Sequence, residues 1–221
     1  MGTPATDLTV AVQDYLKAIY ALEASGERAT TSALASRMGV SAPSATAMTK
    51  RLAELGLVER APYRGVALTE EGRAGALEVI RHHRLLERYL VDRLGLSLHE
   101  VHAEAELLEH ALSEELEAKI DEELGFPTHD PHGDPIPDAE LRLDHGPGRM
   151  LVDLAAGERA SVSRVPDGDP ELLRYLADLG LVPDARVEVV AQAPFGGPVT
   201  VRTASGDHAI SRELAHRIAA G

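Results

Sequence analysis

The sequence of 221 residues has no cysteine and no tryptophan, and only 2 Phe and 5 Tyr. Without cysteine, disulfides and thiolate metal sites are excluded, so any bound metal must be held by His and carboxylate side chains. With aromatics at 3%, the cores have to be aliphatic, built from Leu, Ala and Val. No apolar stretch approaches the ~20 residues of a membrane-spanning helix. Met1 to Thr9 also lacks a basic region followed by an apolar run. These absences lead to the expectation of a soluble, cytoplasmic chain with no membrane partner.

The formal net charge is −14, which taken alone argues against nucleic acid. Its distribution reverses that reading. Between Arg28 and Arg81 eight Lys/Arg stand against five Glu, whereas between His99 and Gly125 ten Asp/Glu face the single Lys119. A mildly basic module beside a strongly acidic one suits a protein that meets phosphate at one end and cations at the other. The length predicts two or three domains.

Apolar spacing predicts a helix from Asp14 to Ala24, a short one from Thr31 to Met38, and a longer one capped by Ser41 that stops at Gly56. Pro43 falls in the first turn, where its missing N–H costs nothing. Leu57 to Arg60 and Gly65 to Leu68 read as a hairpin around Ala61-Pro62-Tyr63-Arg64. Thr69 caps a helix running to Leu94. That order is a winged helix-turn-helix. A further helical region is expected from Leu98 to Leu124. Pro127, Pro131, Pro135, Pro137 and Pro147 then make residues 126–149 a linker. From Met150 on, alternating Val162, Val165, Val187, Val189, Val199, Val201 and Ile210 surround one helix, Pro170 to Leu179, as in a small SH3-like barrel. The fold class is therefore mainly α with a small β part. The domains are expected at 1–75 (DNA-binding), 76–149 (helical, with the linker) and 150–221 (barrel).

A helix that enters the major groove needs a small, polar exposed face near its N-terminus. Ser41, Ser44 and Thr46 can bond phosphates or base edges, Pro43 can touch thymine methyls, and Lys50 and Arg51 are placed for the backbone. Val40, Met48, Leu52 and Leu55 are expected to pack inward. In the wing, Arg60, Tyr63 and Arg64 can reach phosphate or the minor groove. With so few basic residues, double-stranded DNA is expected to be read by a homodimer on two half-sites.

The acidic module carries the second signal. Glu106, Glu109 and His110 at i, i+3 and i+4 project from one helical face, with His102 a turn earlier. On the preceding helix His83 and Glu87 are also i, i+4. Imidazole and carboxylates converging from separate helices are how helical domains build divalent-metal sites. Asp14, early in the first helix, is the candidate for a further ligand. His82, His99 and His129 are assigned to the surface.

The sequence resembles the diphtheria-toxin-repressor family of iron- and manganese-dependent regulators over nearly its whole length. The resemblance rests on Asp14-Tyr15-Leu16-Lys17-Ala18-Ile19-Tyr20, on Ser41-Ala42-Pro43-Ser44-Ala45-Thr46 and on His83-Arg84-Leu85-Leu86-Glu87. It extends through Val101-His102, Glu106-Leu107-Leu108-Glu109-His110 and His132-Gly133-Asp134-Pro135-Ile136-Pro137, and the C-terminal part is similar to the family's FeoA-like barrel. It implies two metal sites per subunit, one using His83, Glu87 and His102, the other Asp14, Glu106, Glu109 and His110. Iron-type members carry Met and Cys where this chain has Asp14 and Glu106; carboxylates make the site harder and favour Mn²⁺. Some manganese-type members place a Glu where this chain has Lys17. The implied function is a metal-dependent repressor that senses Mn²⁺ and controls metal-uptake genes, with Fe²⁺ as the alternative cofactor.

Without metal, the carboxylates of Asp14, Glu106 and Glu109 are expected to repel one another and leave the first helix loosely held. Two other classes compete. A metal-dependent enzyme is disfavoured because His-Glu-x-x-His and paired Glu-x-x-His motifs are missing. A winged-helix regulator with a small organic effector would bind DNA regardless of chelator.

Overall fold

The computed structural model describes residues 8–61, 65–143 and 148–221, which leaves Pro62, Tyr63, Arg64 and Pro147 outside the described residues. The chain divides into two compact units. The first comprises Met1–His83, Leu108–Lys119 and Pro137–Arg142, the second Arg84–Leu107, Ile120–Ile136 and Leu143–Gly221.

In the first unit, α1 (Val10–Ala24) buries Val12, Tyr15, Leu16, Ile19 and Leu22, the one-faced spacing of an amphipathic helix. Thr30 caps α2 (Thr31–Met38) by accepting the Ala33 N–H at 3.1 Å, and Gly39 ends it in the left-handed region. Ser41 caps α3 (Ala42–Glu54), which buries Ala45, Thr49 and Leu52. Leu34, Ala35, Ala45 and Leu52 join the α1 residues in a single core. The hairpin of β1 (Val58–Ala61) and β2 (Gly65–Leu68) pairs Val58 with Leu68 and Ala61 with Gly65. Gly65 has φ +89°, and a Cβ there would lie 2.2 Å from the Ala29 carbonyl oxygen, so only glycine lets this strand close on Ala29. Thr69 Oγ1 accepts the Gly72 N–H at 3.0 Å at the start of α4 (Glu70–Leu94). Glu23 ties these parts together: it accepts the Leu68 N–H at 2.9 Å and pairs with Arg73 at 2.6 Å.

After α4 the chain forms α5 (Val101–Leu108), a 3₁₀ turn (Glu109–Ala111) and α6 (Glu114–Glu123). The helical region expected from Leu98 to Leu124 is thus broken into separate helices. Leu112 adopts extended backbone angles, and Ser113 starts a new helix by accepting the Leu116 N–H at 3.3 Å. The signal was present: a serine followed by Glu114 and Glu115 is a helix N-terminus.

The second unit contains β3 (Arg149–Met150), β4 (Arg159–Arg164), α7 (Pro170–Asp178), β5 (Arg186–Gln192), β6 (Val199–Thr203), β7 (Gly206–Ile210), α8 (Arg212–Ala215) and β8 (Ala219–Ala220). The sheet order is β3-β8-β4-β5-β6-β7, each neighbouring pair antiparallel. Its core gathers Val162, Val187, Val189, Val199, Val201 and Ile210, with Leu173 and Leu176 of α7. Between α6 and β3 the described residues form only a single bridge, His129 to Pro135. Proline keeps that stretch irregular, yet it is not loose. Asp130, Pro131 and His132 are buried, the His132 carbonyl accepts the Val165 N–H at 2.9 Å, and a Cβ on Gly133 (φ +93°) would lie 1.9 Å from the Ser163 carbonyl oxygen.

Candidate metal centres and nucleic-acid face

In the first unit, α1 carries Gln13, Asp14 and Lys17 on the side that faces the 3₁₀ turn, while α4 contributes His83. Asp14, Glu109 and His110 each offer a ligand atom within 4.8 Å of the others. His110 Nε2 stands 3.0 Å from Asp14 Oδ1 and 3.4 Å from Glu109 Oε1. Glu109 is 1% exposed; Lys17 Nζ donates to both its oxygens, at 2.8 and 2.9 Å, and His83 Nδ1 lies 2.5 Å from Oε2. Burial alone would raise the Glu109 pKa, but the His83 hydrogen bond and the Lys17 charge bring it below the ordinary carboxylate value.

The sequence reading missed Gln13. Its side chain is buried and its oxygen accepts from His110 Nδ1. That bond places the ring proton on Nδ1 and directs Nε2 at Asp14, the arrangement a metal-ligating imidazole requires.

His82, assigned to the surface from sequence, is 2% exposed. It lies three residues after Val79 and four before Leu86, on the buried stripe of α4. Its Nδ1 is 3.1 Å from the Glu109 carbonyl oxygen and its Nε2 is 2.9 Å from Glu117. Burial would lower its pKa, but hydrogen bonding and charge from Glu117 raise it. Glu117 also pairs with Arg81, which donates to the Pro137 carbonyl at 2.7 Å.

The second unit has its own cluster. Glu87, Asp130 and His132 are all buried and offer ligand atoms within 4.8 Å of one another. Glu87 Oε1 is 3.2 Å from His102 Nδ1, and Glu87 Oε2 is 3.4 Å from His132 Nδ1. His132 Nε2–H donates to the Leu98 carbonyl at 2.9 Å. Asp130 Oδ1 accepts the N–H groups of His132 and Asp134, both at 2.9 Å. His132 Nδ1 and Asp130 Oδ2 are buried with no hydrogen-bond partner among the described residues. Burial, with the charges of Glu87 and Asp134, pushes Asp130 up to about 7. For His132, burial works downward but is outweighed by the Glu87 carboxylate facing Nδ1, which carries it up to about 9. Asp130 Oδ2 stands 3.7 Å from Arg84 Nε; buried imidazole and carboxylate atoms without a hydrogen bond are a donor set that fits a divalent cation. Asp130 and His132 were missed because the proline-rich stretch reads as linker.

Glu106 does not share an α-helical face with Glu109 and His110, because α5 ends at Leu108 and the 3₁₀ turn breaks the register. It lies instead one turn beyond His102, with its Oε1 3.8 Å from His102 Nε2. His83 closes the first unit, Glu87 and His102 belong to the second. Glu109 is paired with Lys17, and His110 Nε2 approaches both Glu109 and Asp14.

On α3 the exposed residues are Ala42, Pro43, Ser44, Thr46, Ala47, Lys50, Arg51 and Glu54. Ser41 accepts the Ser44 N–H at 3.3 Å and shares a 2.8 Å hydroxyl contact with Ser44. Thr46 Oγ1 donates to the Ala42 carbonyl at 2.8 Å, and Lys50 stands 3.6 Å from Glu54. Arg60 is exposed on β1. Val40 and Leu55 do not pack inward as expected; they are 39% and 51% exposed, because one lies in the turn before α3 and the other is its C-cap.

Three family descriptions match successive parts of the chain. Residues 7–66 match the family description "Iron dependent repressor, N-terminal DNA binding domain", 69–138 "Iron dependent repressor, metal binding and dimerisation domain", and 149–220 "FeoA domain". The chain is 37% identical over 224 residues to the iron-dependent repressor IdeR of Mycobacterium tuberculosis (strain ATCC 25618 / H37Rv), covering 96% of this chain and 97% of the relative. It is 30% identical to the diphtheria toxin repressor of Corynebacterium diphtheriae (strain ATCC 700971 / NCTC 13129 / Biotype gravis), with 96% and 97% covered. Among solved structures, one described as a manganese-dependent transcriptional repressor in complex with manganese superposes with a TM-score of 0.85 at 43% identity, over 95% of this chain and 98% of that one. ScaR with bound Zn²⁺ gives 0.80 at 29%, over 95% and 98%. The chain belongs to the iron-dependent repressor (diphtheria toxin repressor) family of metal-dependent transcriptional repressors. Among the described residues, no helix is long and apolar enough to cross a membrane.

Proposed function

We propose that the protein is a manganese-activated repressor that binds operator DNA as a homodimer in the cytoplasm, controls metal-uptake genes and has no catalytic role. The observation that carries the choice of metal is the donor set Asp14, Glu109 and His110, which contains oxygen and nitrogen and no sulfur. The 43% identity to a structure described as manganese-dependent supports the same reading. Fe²⁺ is the second reading, favoured by the 37% identity to an iron-dependent repressor.

Two ions per subunit would be held. Asp14, Glu109 and His110 would form one centre. Glu87 and His102 would form the other, which Asp130 and His132 are suited to complete. A divalent cation would supply charge neutralisation and fixed coordination. The chain's own residues would do the rest. Gln13 holds His110 in the ligating tautomer, and Asp14 gives α1 a direct stake in the centre. Because α1 and α3 share one core, fixing α1 fixes the face formed by Ser41, Pro43, Ser44 and Thr46. Lys50, Arg51 and Arg60, with Tyr63 and Arg64, would meet the DNA backbone.

A gel shift on DNA upstream of metal-uptake genes, titrated separately with Mn²⁺, anaerobic Fe²⁺ and Zn²⁺, tests this. Mn²⁺ should produce the shift at the lowest free concentration that a cell maintains, and EDTA should reverse it. A shift that ignores chelator would instead mark an organic effector.

A further inference from the structure

We propose that Lys17 is a tethered competitor for the metal at Glu109: its ammonium occupies both carboxylate oxygens until a divalent ion displaces it, and so sets how much metal the protein needs. The inference deepens the metal-dependent reading above and rests on it.

The geometry supplies the reasons. Lys17 Nζ is 2.8 Å from Glu109 Oε1 and 2.9 Å from Oε2, and His83 Nδ1 is 2.5 Å from Oε2, so an ion that takes either oxygen meets the ammonium there. The carboxylate is fully buried, with 0% of its side chain exposed. A charge held there without a counter-charge is costly, so Lys17 stabilises the metal-free form. The lysine side chain itself keeps 24% exposure and a flexible four-carbon stem, so its ammonium has a path back to water. A divalent ion beside Asp14, Glu109 and His110 would place like charge against that ammonium. Binding therefore exchanges one counter-ion of Glu109 for another, and the net affinity is the difference between them.

A residue that instead stayed on Glu109 and merely shaped the site would give the opposite response to mutation. Removing it would loosen Glu109 and weaken metal binding. The two roles are separable by sign.

The test is Mn²⁺ titration calorimetry on full-length wild type, K17Q and K17R, with the signal at this centre defined as the part lost in D14A. Thermal melts in EDTA provide a readout that needs no metal. K17Q should bind Mn²⁺ about tenfold tighter, within the usual range of coupling between two ligands of one site, and should melt lower than wild type in EDTA. K17R, whose fork grips a carboxylate with two parallel bonds, should bind Mn²⁺ several-fold more weakly while keeping its metal-free stability. K17R answers the question even if K17Q does not fold without metal. Unchanged or weaker binding in K17Q, or wild-type binding in K17R, would overturn the proposal. A wild-type protein with no D14A-sensitive signal would overturn the metal reading on which it stands.

Discussion

Gln13 and His110 are joined by a hydrogen bond between the glutamine oxygen and ring Nδ1, and the glutamine nitrogen in turn donates to the Leu8 carbonyl at 3.4 Å. The amide is thereby oriented from both ends, and the imidazole inherits that orientation. Replacing Gln13 with Leu removes the acceptor while keeping the volume. Mn²⁺ affinity should fall about 10- to 100-fold, the usual cost of losing such a supporting bond. Equilibrium titration of Q13L against wild type checks this; equal affinities would mean the ring is held by other contacts.

Asp14 is a ligand candidate with 31% side-chain exposure and no part in the apolar core. D14A should therefore abolish metal-dependent DNA binding and leave the far-ultraviolet circular dichroism unchanged. A variant that still shifted operator DNA at the wild-type manganese concentration would show that Asp14 is not a ligand.

His132 sets a pH dependence. Its pKa is raised from 6.5 to about 9, so its contribution to the stability of the metal-free protein is fully present below about 6.5 and is lost as the pH climbs through about 9. Asp130, also raised, acts in the same direction at lower pH, because the folded chain holds its proton more firmly than the unfolded chain does. Melts in EDTA should show stability declining across the His132 window, and H132Q should flatten that decline. Metal binding at this cluster needs the neutral ring, so Mn²⁺ affinity should rise over the same range.

Leu52 is fully buried between α1, α2 and α3. L52A should destabilise the protein by about 2–5 kcal/mol through lost burial and the cavity left behind. Chemical denaturation of the metal-free protein measures it. A cost below about 1 kcal/mol, the scale of a typical point substitution, would mean the core collapses onto the gap.

Lys50 and Arg51 are exposed on α3. If each neutralises one phosphate, K50A and R51A should each reduce the salt dependence of operator binding by about one counterion. Affinity measured across a salt series gives the slope directly.

Much of this was legible in the sequence. Thr31–Met38 could be read to the residue because Thr30 and Gly39 punctuate it, and Asp14, Glu109 and His110, which the structure brings together, were already candidates in the sequence. The rest depended on tertiary contacts that leave no periodic trace. His82 reads as polar and hence exposed until Glu117 and the Glu109 carbonyl are seen to satisfy it. Asp130 and His132 sit among prolines, whose local meaning is irregular backbone, and nothing local says that this backbone is packed against β4. Glu106 was grouped with Glu109 by an α-helical count that the chain abandons after Leu108. Gln13 carries no motif at all.

The common core of α1 and α3 leaves no soft layer between sensor and reader. Leu16, Ile19, Leu34 and Leu52 are all 0% exposed, and an interior at crystal-like density cannot absorb a displacement by compression. If Asp14 holds a metal and α3 meets DNA as proposed, any adjustment of α1 at Asp14 would be relayed to α3 as whole-body movement, and the fidelity of signalling would be a property of aliphatic packing as much as of coordination chemistry.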